Sequence, residues 1–147
     1  MGTLLDSTVF IQLERELRRL PAGQALAEVS QRLVRELGEE EEVGMAAITA
    51  SELLHGVHRA TPPNRPGREA FVETLLEAFP PVPFDLLAAR AHARLWSDLA
   101  LAGIDIGAHD RLVAGTAIAI GWRVATANVR HYERIEWLTV VAPNLSA

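Results

Sequence analysis

The stretch Thr3-Leu4-Leu5-Asp6-Ser7-Thr8-Val9-Phe10 decides the fold class. Thr3 to Leu5 is short and apolar, and it runs into Asp6-Ser7-Thr8, residue types that cap the free amides of a helix start. Val9, Phe10 and Leu13 then recur at helical spacing. A buried strand that feeds directly into an amphipathic helix is half of a β-α unit. The junction returns downstream. Met45 to Ile48 reads as a second buried strand, and Thr49-Ala50-Ser51-Glu52 matches a capping box that opens a helix reaching about Ala60. Val82 to Phe84, flanked by prolines, is a short third strand, and Arg123 to Ala125 and Leu138 to Val141 are the remaining ones.

Helical patterns fill the intervals. Pro21 and Gly23 interrupt the first helix, and a second follows to about Leu37 with Leu26, Val29, Leu33 and Leu37 on one stripe. The proline-rich stretch Thr61 to Gly67 is the clearest loop, ahead of a helix over Glu69 to Ala78. Asp85 to Ala102 is a long helical pattern ending at Gly103. After the Ile104 to Gly107 connector, a mostly apolar and therefore central helix runs from Ala108 or His109 to Gly121. Val129 to Tyr132 reads as a further helical turn. Such alternation predicts an α/β fold, with a central, mostly parallel sheet between helical layers and functional side chains at the carboxyl ends of the strands. Neither a repeat nor a composition shift marks a second unit, so residues 1–147 are expected to form one domain.

Composition narrows the chemistry. Hydrophobic residues make up 49% and charged residues 22% of the chain, too apolar for a disordered segment. Cysteine is absent, so any metal must be held by oxygen or imidazole ligands. The opening residues carry no basic, apolar leader, and no run approaches the roughly 18 apolar residues of a membrane span. The expectation is a soluble cytoplasmic protein. A net charge of −5 argues against nucleic-acid binding. Part of that charge sits in the run Glu39 to Glu42, and an acidic metal site adds more that bound cations cancel.

Three acids stand where chemistry is expected. Asp6 follows the first strand, where an N-cap explains it as well as a ligand does. Glu52 closes the capping box, a structural role that suffices for it alone. Asp110 opens the apolar helix, where the helix dipole favours a carboxylate. The signal is their coincidence, because three acids at one sheet edge can hold Mg2+ or Mn2+ for hydrolysis without a protein nucleophile. Cysteine, a Gly-x-Ser-x-Gly elbow and a Gly-rich phosphate loop are all missing.

With these residues in view, the chain resembles the PIN-domain family, and within it the VapC-type toxins of bacterial toxin-antitoxin pairs. The resemblance rests on Leu4 to Phe10, Thr49 to Val57, Ile106 to Ala117 and Thr126-Ala127-Asn128-Val129-Arg130-His131-Tyr132, in that order and over nearly the whole chain. It implies a metal-dependent ribonuclease acting on structured RNA such as transfer RNA, a homodimer, and a VapB-type antitoxin that covers the active-site groove. It also implies that Asp6, Glu52 and Asp110 bind the metal, with Thr126 and Asn128 beside it or its waters. The family often carries a fourth acid where this chain has His131. Water, Asn128 or His131 would fill that gap, with a partly exposed polar role preferred for His131.

Other readings are weaker. Arg65, Arg68 and Arg130 are plausible phosphate contacts, each taken singly as a solvated surface arginine. Asp98 is expected to face solvent and His55 to be a non-ligating helix residue, with Asp105 kept in reserve as a substitute acid. Trp96, Trp122 and Trp137 are expected to be packing residues. A phosphotransferase of the haloacid-dehalogenase type would want a second Asp at position 8, which is Thr8, and a lysine, of which there is none. An inert interaction module, in which the acids only cap helices, is the remaining competitor.

Overall fold

The computed structural model describes residues 1–21 and 24–146. Five parallel strands form one sheet in the order β3-β2-β1-β4-β5. The strands are β1 (Gly2–Leu5), β2 (Glu42–Ala46), β3 (Pro81–Val82), β4 (Arg123–Ala125) and β5 (Val140–Val141). Helices α1 (Ser7–Arg19), α2 (Ala25–Leu37), α3 (Ala47–Arg59), α4 (Arg65–Ala78), α5 (Leu86–Leu101), α6 (Ala108–Ile120) and α7 (Val129–Tyr132) connect them. The result is the three-layer α/β architecture that the alternation predicts.

Successive side chains of a strand point to opposite faces, and β1 shows what this builds. Leu5 enters a core with Val9, Phe10 and Leu13 of α1, Val29 and Leu33 of α2, and Val72 and Leu75 of α4. Leu4 enters the opposite core with Leu95 and Leu99 of α5 and with Val113, Ala114 and Ala117 of α6. All four residues of β1 are buried, as befits the middle strand of a sheet covered on both faces. Gly115 lets α6 approach α5 closely, because a Cβ there would stand 2.8 Å from His92 Cβ.

Several boundaries differ from the sequence reading. β2 begins at Glu42 and ends at Ala46, since its ladder to β1 pairs Gly2 with Glu42, and the acidic run disguises the strand's exposed start. Helix α3 therefore starts at Ala47, with no side-chain cap, and Thr49 to Glu52 lies inside it. The capping box does not form. Helix α4 starts at Arg65, inside the expected loop, with Pro66 suited to a first turn that needs no amide donor. β3 is displaced to Pro81–Val82. The expected break at Pro21 stands after α1, and its Gly23 half lies outside the described residues.

On α2 the buried stripe is Ala25, Val29, Arg32, Leu33 and Leu37, while Leu26 is exposed. A buried arginine breaks the apolar pattern and shifts the stripe. Arg32 Nη1 donates to the Leu145 carbonyl at 2.8 Å and stands 3.3 Å from Glu16 Oε2, so it fastens the C-terminal segment to α1 and α2. Arg32→Met should lower the unfolding free energy by about 3 kcal/mol, as when one partner of a buried pair is removed. Urea titration checks this, and the double variant with Glu16→Gln should recover part of the loss. An unchanged midpoint in the single variant would mean that the pair carries no stability.

Candidate active site

The site grows from the register of β1 and β4. Leu5 pairs with Ala125, and the ladder continues one residue further as the Asp6 amide donates to the Ala125 carbonyl at 3.0 Å. Thr126, likewise one residue past its strand, donates its amide to the Val141 carbonyl at 2.9 Å. Both side chains thus emerge at the carboxyl edge of adjacent strands. There, Thr126 Oγ1 donates to Asp6 Oδ2 at 2.6 Å.

Asp6 is also the N-cap of α1, its Oδ1 accepting from the Thr8 amide at 3.0 Å. The Thr8 hydroxyl donates to the same oxygen and accepts from the Ala127 amide at 2.9 Å. Cap and site are therefore one arrangement, since capping orients the carboxylate. Thr8, read from the sequence only as a capping residue type, ties the α1 start to the loop after β4. Burial pushes the Asp6 carboxyl above its ordinary value, against the opposing hydrogen bonds from Thr126 and Thr8.

Asp110 lies in the first turn of α6, as expected. Its Oδ2 stands 2.8 Å from His131 Nδ1, and its Oδ1 accepts from the Tyr132 hydroxyl at 3.1 Å. Asn128 Nδ2 in turn stands 3.0 Å from His131 Nε2. With the proton of His131 on Nδ1, donors run in series from Asn128 through His131 to Asp110. His131 is thus half-exposed as expected but committed to Asp110, and Asn128 orients His131. Tyr132, fully buried, is a site residue that the sequence reading treated as motif only. Burial pushes its phenol well up, with the charges of Asp6 and Asp110 adding to the shift.

Glu52 sits in the second turn of α3, half-buried and free of any capping role. His109 Nδ1 is 3.7 Å from its Oε1. Burial raises the Glu52 carboxyl. His109 opposes that shift, and the charges of Asp110 and Asp6 add to it. Since Tyr132 lies beside both Asp6 and Asp110, the three predicted acids share one region. Among the described residues, however, no three His, Asp or Glu side chains gather into a ready-made metal cage. The donor set of dispersed, repelling carboxylates fits a hard cation that keeps several of its own waters.

The reserve candidates fall away. Asp105, 87% exposed, accepts from the Gly107 amide at 2.9 Å and faces Arg111, so it braces the connector instead of joining the acids. Asp98 is exposed, as expected, and His55 is an exposed residue of α3. Arg65 and Arg68 are not free solvated side chains. Arg65 Nη2 donates to the Ala60 carbonyl at 3.0 Å, while Arg68 stands 2.5 Å from Glu14 and over the Phe71 ring. Arg130 is exposed. Beside Glu52 opens a cavity of about 200 Å³, lined by Phe10, Ile11, Leu53 and Phe71 with Glu14 and Arg68 on its wall.

The family model described as PIN domain matches residues 3–138. Ribonuclease VapC1 of Rickettsia felis is 32% identical over 142 residues, 96% of each chain. The tRNA(fMet)-specific endonuclease VapC of Salmonella typhimurium is 30% identical over 65% of this chain and 71% of its own length. In fold, the chain is similar to VapBC-1 from nontypeable Haemophilus influenzae, with a TM-score of 0.79 at 22% identity over 97% of this chain and 98% of that one.

The raised Asp6 carboxyl has a consequence for metal-free protein. A carboxyl whose folded-state pKa exceeds its unfolded value binds protons more tightly when folded. Its contribution to stability is therefore present at acid pH and is lost as pH rises through the folded value. Asp6→Asn keeps an oxygen for the cap and never ionises, so in chelator it should melt above wild type, by a margin that widens from pH 4.5 to pH 7.5. Melting curves at those two values test this, and a margin that shrinks with pH would mean that the native carboxylate is stabilised.

Proposed function

The chain belongs to the PIN-domain family, and from that premise we propose that it is a metal-dependent endoribonuclease, the toxin half of a toxin-antitoxin pair. The observation that carries the reading is that Asp6 and Asp110 both lie beside Tyr132 and that the charges of both reach Glu52, in a chain with a VapC ribonuclease relative. Asp6, Asp110 and Glu52 would hold Mg2+ or Mn2+. When bound, such an ion polarises the phosphodiester and supplies hydroxide from water near neutral pH.

The chain's own residues do the positioning. Thr126 and Thr8 fix the two oxygens of Asp6, while His131 and Tyr132 fix those of Asp110. Each acid thus has donors from a neighbouring element that set its orientation, as outer partners of metal ligands do. Glu52 is the least constrained acid and can accept a hydrogen bond from water in the crevice. The substrate class is RNA, and transfer RNA is favoured by the Salmonella relative's specificity. The partner is a VapB-type antitoxin, for which the apolar cavity beside Glu52 is the natural seat. The His131 substitution favours a second reading, a PIN-fold module with weak or no catalysis.

Purified protein should cut end-labelled total transfer RNA at discrete positions with Mg2+ or Mn2+ and not with chelator. Asp6→Asn and Asp110→Asn should each lower the rate about 10²–10³-fold, as when a group that stabilises transition-state charge is removed, with circular dichroism unchanged. Retained cleavage in both variants would sink the assignment of the acids. Absence of any metal-dependent cleavage and of Mn2+ binding would favour the inert module.

Tyr132→Phe removes only a hydroxyl. It should leave the melting temperature within a few degrees of wild type and weaken Mn2+ binding, followed by calorimetry, about tenfold. Unchanged Mn2+ affinity would confine Tyr132 to packing.

A further inference from the structure

The expectation that all three tryptophans pack inside holds for one of them. Trp122 lies against Gly2, whose absent Cβ would stand 2.0 Å from its ring. Trp96 is 54% exposed yet engaged, with Arg111 over its ring at 5.2 Å and His92 at 5.7 Å. Trp137 is 50% exposed and, among the described residues, has neither an aromatic nor a cationic partner on its ring. It stands on the wall of a groove of about 540 Å³ whose other lining residues are Arg90, Ala91, Arg94 and Ile118.

The electrostatics of this groove run against those of the molecule. The chain carries a net charge of −5, yet no acid lines the groove. Arg90 and Arg94 are one turn apart on α5 and exposed, and among the described residues neither forms an ion pair. Arg18, Arg19, Arg32, Arg68, Arg111 and Arg123 face carboxylates, whereas Arg90 and Arg94, like several other arginines of the chain, do not among the described residues; what sets these two apart is that both line one groove with Trp137. Two unpaired guanidinium groups beside an open indole make a surface of one chemical kind. Guanidinium binds phosphate in a bidentate fork, and an exposed ring offers a stacking platform to any base.

We propose that this groove is a second RNA-contact surface, which grips the substrate away from the scissile bond through phosphates on Arg90 and Arg94 and a base on Trp137. The proposal deepens the ribonuclease reading and rests on it. Ile118 lies about two turns along α6 from Asp110, roughly 12 Å at the helical rise. A structured RNA can therefore engage both places, whereas a short fragment around the cut reaches only the acids. The groove thereby selects for long or folded RNA, and it supplies the phosphate attraction that the acidic site cannot.

The test compares wild type with Arg90→Gln/Arg94→Gln and with Trp137→Ala, using bulk transfer RNA and a trinucleotide spanning the mapped cut. KM for the full-length RNA should rise about tenfold in each variant with kcat unchanged, and cleavage of the trinucleotide should not move. Binding of fluorescein-labelled transfer RNA is read in an Asp6→Asn background. The arginine double variant should flatten the dependence of log Kd on log salt by about 1.5, the release expected for two lost phosphate contacts. Trp137→Tyr should restore most of the affinity that Trp137→Ala loses. Equal losses on both substrates, or unchanged affinity for full-length RNA, would overturn the proposal. So would a change in molar mass by light scattering with RNA affinity intact, which would assign the face to a second copy of the chain. If wild type cuts no RNA but the groove variants still weaken binding, the nuclease reading fails and the groove stands.

Discussion

The parallel pairing of β1 with β4 is the constraint from which the site follows. Because the ladder runs one residue beyond β1, the Asp6 amide is held by Ala125 and its carboxylate is delivered to the same edge as Thr126. A slip of one residue would turn Leu4 and Leu5 to each other's faces, exchanging the partners of both cores. The two cores thereby secure the register, and the register secures the acid. Helices α3 and α6 pack on that frame and bring Glu52 and Asp110, near their amino ends, into the region of Asp6.

Gathering the acids works against stability. The carboxyls of Asp6 and Glu52 are raised chiefly by burial, and the charges of Asp110 and Asp6 add to the penalty at Glu52. The fold offsets this with hydrogen-bond donors. Thr8 and Thr126 serve Asp6, while Tyr132 and His131 serve Asp110. Such donors stabilise an anion without cancelling its charge, so the region stays attractive to a cation. A lysine or arginine in the same places would stabilise the metal-free protein better and occupy the position a cation needs.

Much of this was legible in sequence, for identifiable reasons. Strand and helix order follow from apolar runs with period 2 or 3.6, and β4 and α7 fall at the expected residues. Asp6 and Asp110 were legible because each stands at a strand-helix junction or a helix start. Three features were not. The acidic run concealed the start of β2, and the apparent capping box at Thr49 to Glu52 was a coincidence of residue types inside a helix that begins earlier. Arg32 interrupts the stripe of α2 because its buried charge is matched by Glu16, 16 residues away, and by the tail carbonyl of Leu145. Tyr132 and His131 were invisible as partners of Asp110, since that contact joins α7 to α6 across the fold and no local spacing encodes it.

The net charge illustrates the same limit from another side. A sum of −5 argues against binding a polyanion only if charge is spread evenly, and here it is not. Glu41 pairs with Arg123, Glu14 with Arg18 and Arg68, and Glu16 with Arg19 and Arg32, so several acids and bases cancel locally. Phosphate responds within about a Debye length, near 8 Å at physiological salt, and therefore to what remains after such cancellation. What remains differs from place to place: an acidic edge that calls for a cation, and an arginine-lined groove about two turns along α6 that does not. An acidic protein can hold RNA when its positive charge is left uncompensated in one place while its acids are paired or gathered in another.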